Sequence, residues 1–164
     1  MKETFDSFSA EVFKIFDKDW AILVSGDERP NPMTISWGGL GTLYSKPVAT
    51  VYVRPTRFSF GFMMEHNEFT VNFLPSNMKN IYDICGSMSG KNCDKWVEAK
   101  IHKAKSSIIK TPYIKEAKLA FECRTIVRVP LKRESFLSEE IFYFYEMEDY
   151  HTIFIGEVLK IHKS

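Results

Sequence analysis

Cysteine is scarce in this sequence: there are three among 164 residues, Cys85, Cys93 and Cys123. The number is odd and no C-x-x-C pair occurs, so neither a disulfide framework nor a zinc site is expected, and a reducing cytoplasm fits best. An excess of one charge is also missing. Lys and Arg number 22 against 21 acidic residues, and the net charge of +1 gives no general pull toward nucleic acid or an anionic membrane. Any anion has to be recognised locally. No stretch approaches the ~20 apolar residues that cross a bilayer. Met1 to Glu11 has Glu3, Asp6 and Glu11 and no apolar run, so it does not read as a secretory signal. The glycine patterns of nucleotide sites are absent as well: no G-x-x-x-x-G-K-[ST] supports a P-loop, and no G-x-G-x-x-G after a strand supports a Rossmann site. His66, His102 and His162 show no metal-ligand spacing with one another or with the cysteines, and no nucleophile elbow marks a Ser, His and Asp set.

What is present suits one folded unit over 1–164, because that length is within the ~100–200 residues of a typical domain. Hydrophobic residues make up 45% and charged residues 26%, enough for a core and a polar surface. Fourteen Phe (Phe 14) in an aromatic fraction of 15% favour strands and a ring-lined cavity over a leucine-rich bundle.

From Thr4 to Phe16 the residues Phe5, Phe8, Val12, Ile15 and Phe16 recur at helical spacing and predict an amphipathic helix against a sheet. Trp20 to Ser25 and Met33 to Trp37 read as a hairpin around the turn formers Gly26 to Pro32. The glycines Gly38, Gly39 and Gly41 break that run before the β-branched strand Val48 to Val53. A helix from Thr56 or Ser59 toward His66, a strand Phe69 to Leu74 and a helix Asn77 to Cys85 follow. Gly86 to Asp94 reads as a loop, and Lys95 to Tyr113 has no clear periodicity. Three extended segments, Ala117 to Val129, Glu140 to Met147 and His151 to His162, then supply what an antiparallel barrel or sandwich needs.

Four segments bear groups that can do chemistry. In Asn31-Pro32-Met33-Thr34-Ile35-Ser36-Trp37, strand alternation places Asn31, Met33, Ile35 and Trp37 on one face and Thr34 with Ser36 on the other, so an amide and a large ring can meet one ligand. Arg54-Pro55-Thr56-Arg57-Phe58-Ser59 offers guanidinium groups, hydroxyls and helix-start amides to a phosphate. In Ser87 to Trp96, Gly90 lets backbone approach an anion, and Lys91 or Lys95 can bring a mobile positive charge. Asp149-Tyr150-His151 opens an apolar strand with a histidine able to donate to a polar ring or transfer a proton. Each also has an ordinary reading as core strand, solvated turn, polar loop or surface histidine. Cys93 beside lysines reads as a bystander thiol, and Lys100, Lys103 and Lys105 as a solvated face.

Taken in order, these segments resemble the flavin reductase-like family of FMN-binding split barrels, flavoredoxins included. The resemblance rests on the helix before Trp20 to Ser25, Asn31 to Trp37, Pro55-Thr56-Arg57, Phe69-Thr70-Val71-Asn72-Phe73, the Ser89-Gly90 to Asp94-Lys95 loop, and His151 to Val158. Cys93 in that loop departs from the common pattern. The resemblance implies a mainly β, Greek-key split barrel with flanking helices, paired as a homodimer with FMN near the subunit interface. It also implies that Thr34, Ser36 and Trp37 lie along the flavin and its ribityl chain, that Asn31 approaches the isoalloxazine, that Thr56, Arg57, Ser59 and Lys95 surround the phosphate, and that Ser89 is also a cofactor-binding residue. His151 would stand near the ring, orienting it or the electron donor.

The function so implied is an NAD(P)H-dependent flavin reductase that passes two electrons through bound FMN to a small-molecule or protein acceptor. A flavoredoxin-type carrier reduced by a protein partner is the alternative within the fold. A split-barrel ligand-binding module without turnover, for haem or another ligand, is the alternative of a different class, although no assured axial ligand is visible.

Overall fold

The computed structural model describes residues 5–164. After a 3-10 turn at Phe5–Ser7 come α1 (Val12–Asp17), β1 (Ala21–Ser25), β2 (Asn31–Ile35), β3 (Gly38–Leu43) and β4 (Lys46–Val53). α2 (Phe58–Glu65), β5 (Glu68–Phe73), α3 (Lys79–Ser87) and α4 (Lys95–Glu98) follow. The chain ends with the short strands β6 (Lys103–Ala104) and β7 (Tyr113–Ile114) and the long strands β8 (Leu119–Pro130) and β9 (Thr152–Lys163). Seven strands form one antiparallel sheet in the order β2-β1-β5-β8-β9-β4-β3, and β6 pairs with β7 alone.

The two edges of that sheet are β2 and β3, yet only Ser36 and Trp37 separate them in the chain. Three peptide steps reach about 11 Å at most. The sheet therefore curls until its edges nearly meet, giving a barrel left split along one side. Mainly antiparallel β-structure with flanking helices is thus the architecture, as the sequence predicts.

Burial explains the near-continuous apolar run of β1. Ala21 and Leu23 point into the barrel with Met33, Val51, Phe69, Phe73, Phe121 and Phe154. Ile22 and Val24 point outward into a second cluster with Ile81, Tyr82, Cys85 and Trp96 of α3 and α4. A strand covered on both faces has no need of alternation. Fully buried phenylalanines such as Phe69 and Phe154 each contribute roughly 1.5–3 kcal/mol by transfer from water.

Four expectations are corrected. The helix expected from Thr4 to Phe16, whose first residue lies outside the described residues, is a 3-10 turn and the six-residue α1. Ser7 and Ser9 favour turns over helix interiors. The glycine cluster does not end strand structure: Gly38, Gly39 and Gly41 lie in β3, paired with β4 from Gly38↔Val51 to Leu43↔Lys46. At Gly38 a Cβ would collide with the Phe16 ring, so the missing side chain lets α1 lie on the strand. Glu140 to Met147 is largely 3-10 helix, Glu139–Phe144. Both sides of β9, the strand that follows it, are already paired, by β8 and β4, so this aromatic segment cannot form a hairpin with β9. Neither Thr56 nor Ser59 caps α2, whose N-cap position is Arg57 with no side-chain cap bond.

Candidate functional site

β2 is the spine of the site. Its partner β1 pins it in register from Ala21↔Ile35 to Ser25↔Asn31, after a turn in which Gly26 adopts φ 91. Such a backbone favours glycine. Two clefts open along this edge strand. The first, about 180 Å³, is lined by Met33 to Trp37, Tyr52, Arg54, Arg57 and His151. The second, about 220 Å³, includes Arg29, Asn31, Phe58, Gly90, Cys93 and Lys95 in its wall. Each is smaller than the ~300–1,000 Å³ of a typical small-ligand pocket. A ligand extended along Asn31 to Trp37, a run of about 20 Å at ~3.3 Å per residue, would engage both.

The second cleft is assembled by backbone carbonyls near the start of β2. Lys95, at the start of α4 and only 4% exposed, donates from Nζ to Pro32 O at 3.1 Å and Cys85 O at 2.7 Å. An ammonium has three N–H groups, so one remains for a ligand. Trp96 Nε1 donates to Pro30 O at 2.8 Å, and Arg29 donates to Gly90 O at 3.0 Å. Asn31 Nδ2 donates to Ser59 Oγ at 2.8 Å, tying β2 to the first turn of α2. Gly90 sits so close to this amide that a Cβ there would collide with Asn31 Oδ1.

Burial pushes the Lys95 ammonium below the usual lysine range, and the Arg57 charge pushes it further down, while the Cys85 and Cys93 thiols oppose the shift. Arg57, an exposed residue, forms no ion pair among the described residues, and Lys95 has no carboxylate partner there. Two cations that raise each other's cost and lack a counter-charge suit an anion.

At the other end, β4 and β9 pair through Val53↔Thr152, which brings the flanking residues Arg54 and His151 alongside. Arg54 donates to Asp149 Oδ1 at 2.9 Å and to Phe144 O at 2.7 Å, and its guanidinium lies 4.9 Å from the Tyr145 ring centre. Thr56 donates to the second Asp149 oxygen at 3.1 Å. These bonds fasten the segment between β8 and β9 over the first cleft. Trp37 stands 5.5 Å from the His151 ring and 5.3 Å from Phe144, ring centre to ring centre. His151 is held at a pKa of about 4, first by burial and then by Arg54, against an upward pull from Asp149 and with a smaller further push down from Arg57. It is a neutral imidazole at pH 7.

Of the ten residues singled out in the sequence, Thr34, Ser36, Trp37, Arg57 and His151 line the first cleft, and Asn31 and Lys95 the second. Thr56, Ser59 and Ser89 line neither. Ser59 is buried behind Asn31, Thr56 is bonded to Asp149, and exposed Ser89 accepts from Lys91 N at 3.3 Å. Thr34 lines its cleft with a hydroxyl already donated to Tyr82 O at 2.6 Å, so it can offer a ligand only lone pairs. Between the two lysines weighed, Lys95 is the one in a cleft wall. Tyr52, Arg29 and Tyr145 carry weight that no local motif announces, since their places come from strand register and from the segment after β8.

Similarity to known proteins agrees with this geometry at the level of fold. A flavoredoxin structure from Methanosarcina acetivorans superimposes with a TM-score of 0.72 at 23% identity, over 96% of this chain and 74% of that one. An FMN-binding protein from Thermus thermophilus, solved with 1-cyclohex-2-enone, gives 0.69 at 20% over 98% and 75%. An NADH:FAD oxidoreductase of Streptomyces globisporus C-1027 gives 0.68 at 18% over 89% and 75%. Residues 16–164 match the sequence model described as the flavin reductase like domain, and the chain belongs to that family.

Proposed function

We propose that this protein is an FMN flavoprotein acting as an NAD(P)H-dependent flavin reductase. The observation that carries the reading is a pair of cations without a carboxylate partner among the described residues, buried Lys95 in the second cleft and exposed Arg57 in the first, where Trp37 and neutral His151 also stand in the wall. A phosphate of roughly −1.5 to −2 charge matches the two cations, and a flat ring matches Trp37 and His151. The donor set fits: one free Lys95 N–H and the Arg57 guanidinium for the phosphate, with β2 from Asn31 to Trp37 along the length of the ligand. Thr56 and Ser59 act one step back, by holding Asp149 and Asn31.

FMN bound there would supply the two-electron chemistry, and the chain's residues bind and orient it. Trp37 and Tyr52 wall the ring end, His151 offers a hydrogen bond, and the Phe144 to Tyr150 segment limits access of water. No side chain need act as a nucleophile. Exposed Phe13, Trp37, Tyr44 and Phe144 support pairing as a homodimer, which light scattering on a size-exclusion column would read as twice the chain mass.

The test is anaerobic mixing of FMN-loaded protein with NADH and with NADPH while flavin absorbance is followed. Bleaching by either donor supports the reductase. Bleaching by neither, with FMN tightly held, selects the electron carrier reduced by a protein partner, a reading supported by the flavoredoxin likeness. A colourless protein that ignores added FMN overturns both.

A further inference from the structure

The wall of the first cleft contains a histidine whose second nitrogen is already engaged. Tyr145 OH lies 2.6 Å from His151 Nδ1 in a buried contact. Tyr145 is itself clamped: its ring packs on Phe136 at 5.5 Å and Tyr150 at 5.0 Å, and Arg54 covers it at 4.9 Å. His151 Nδ1 is the hydrogen-bond partner of this hydroxyl among the described residues. A buried hydroxyl with this one neighbour places its proton on the line to Nδ1, since a proton on Nδ1 would leave the O–H donor without an acceptor. The charged groups facing His151 are Arg54 and Arg57, which oppose a positive imidazole, and Asp149, which Arg54 and Thr56 already occupy.

We infer that Tyr145 is a positioning residue that locks His151 into the neutral tautomer with its proton on Nε2, so that the cleft is offered a fixed hydrogen-bond donor. The acceptor it fits is a carbonyl oxygen or an unprotonated ring nitrogen on a flat ligand. His151 then recognises a lone pair and does not deliver protons near neutral pH. The role toward a ring ligand rests on the function proposed above; the tautomer does not. The six-residue separation of Tyr145 and His151 follows from Arg54, which ties Phe144 and Asp149 to the end of β4 and so folds the segment back onto its own histidine.

The test begins with ligand-free protein labelled with 15N-histidine, using long-range 1H–15N correlation between pH 5.5 and 8. The expected result is one tautomer for His151 throughout, with Nε2 protonated and Nδ1 bare. A proton on Nδ1, or a charged ring at pH 6.5, overturns the inference. In Tyr145→Phe, which keeps the ring packing, the single tautomer is expected to give way to a mixture. If the variant keeps a pure Nε2–H form, Tyr145 is not what sets it. FMN titration then reads the role: Tyr145→Phe raises Kd about three- to tenfold, the range expected for one neutral hydrogen bond. His151→Gln, whose amide nitrogen reaches the Nε2 position, stays nearer wild type than His151→Asn. Equal losses in Gln and Asn overturn the donor role. Failure of the wild type to bind FMN overturns the proposed function and leaves the tautomer to be decided by the spectra.

Discussion

Lys95 illustrates how one residue can serve both fold and site. Two of its N–H groups hold α3 and β2 together through Cys85 O and Pro32 O, whereas Arg57 holds nothing comparable. Truncating the two should therefore have different consequences. Arg57→Ala should weaken FMN by about ten- to a hundredfold, the loss of a charge-assisted contact of ~1.5–3 kcal/mol, and leave the urea midpoint unchanged. Lys95→Ala should weaken FMN as much and also lower that midpoint, because two buried carbonyls lose their donor. Isothermal titration and urea melts on both variants check this; unchanged FMN affinity in both would remove the phosphate site. His151 gives a second expectation. Its folded pKa of about 4 lies below the ~6.5 of an unfolded histidine. Between those values the unfolded chain takes up a proton that the folded one refuses, so stability falls as pH drops from 7 toward 4. Glu116 and Glu122, whose carboxyls are held below their ordinary values by hydrogen bonds that outweigh desolvation, lose their contribution only as pH falls further. Urea melts at pH 7 and pH 5 should show the drop in the wild type, and His151→Asn should flatten it.

Among the elements, strands with a buried face were legible because pattern and packing agree. Val48 to Val53 and Phe69 to Phe73 read correctly from β-branched and aromatic residues that do fill the barrel. β3 was illegible for the opposite reason, since its glycines have no side chains to report a face. Gly38 is there for the close approach of Phe16, a contact between distant parts of the chain that no local window contains. Glu139–Phe144 misled in the other direction: Phe142, Tyr143 and Phe144 carry strand propensity, but a hairpin with the strand that follows needs a free edge, and β9 has none to give. The Phe16 contact yields a prediction. Gly38→Ala should cost about 1–3 kcal/mol by overpacking, visible as a lower urea midpoint. Phe16→Ala should then cost less in the Gly38→Ala background than in the wild type, because there it also removes the colliding ring. Strictly additive losses would mean that the approach of α1 to β3 is not what Gly38 permits.

For the whole molecule, the site exists because the sheet closes imperfectly. β2 brings Asn31 to Ile35, the β4 and β9 ends bring Tyr52, Arg54 and His151, and the α2 start brings Arg57. Seven of the ten residues singled out line one cleft or the other, and the segments that carry them could be picked out because they are recognisable when read in order. Their mutual bonds were not legible, since Asn31 to Ser59, Thr56 to Asp149 and Tyr145 to His151 depend on how the barrel curls. That curl is enforced where the chain crosses from one sheet edge to the other through Ser36 and Trp37 alone. Lengthening this crossing relaxes the constraint without removing any core side chain. Loop-closure entropy changes little for two added residues, so insertion of Gly-Gly between Trp37 and Gly38 should leave far-UV circular dichroism near wild type. The widened split should displace Trp37 from His151 and Phe144 and weaken FMN by about tenfold or more, with a red-shifted tryptophan emission as the ring meets water. If the insertion variant binds FMN like the wild type, the spacing of the two edges does not shape the groove, and the two clefts along β2 do not act as one site.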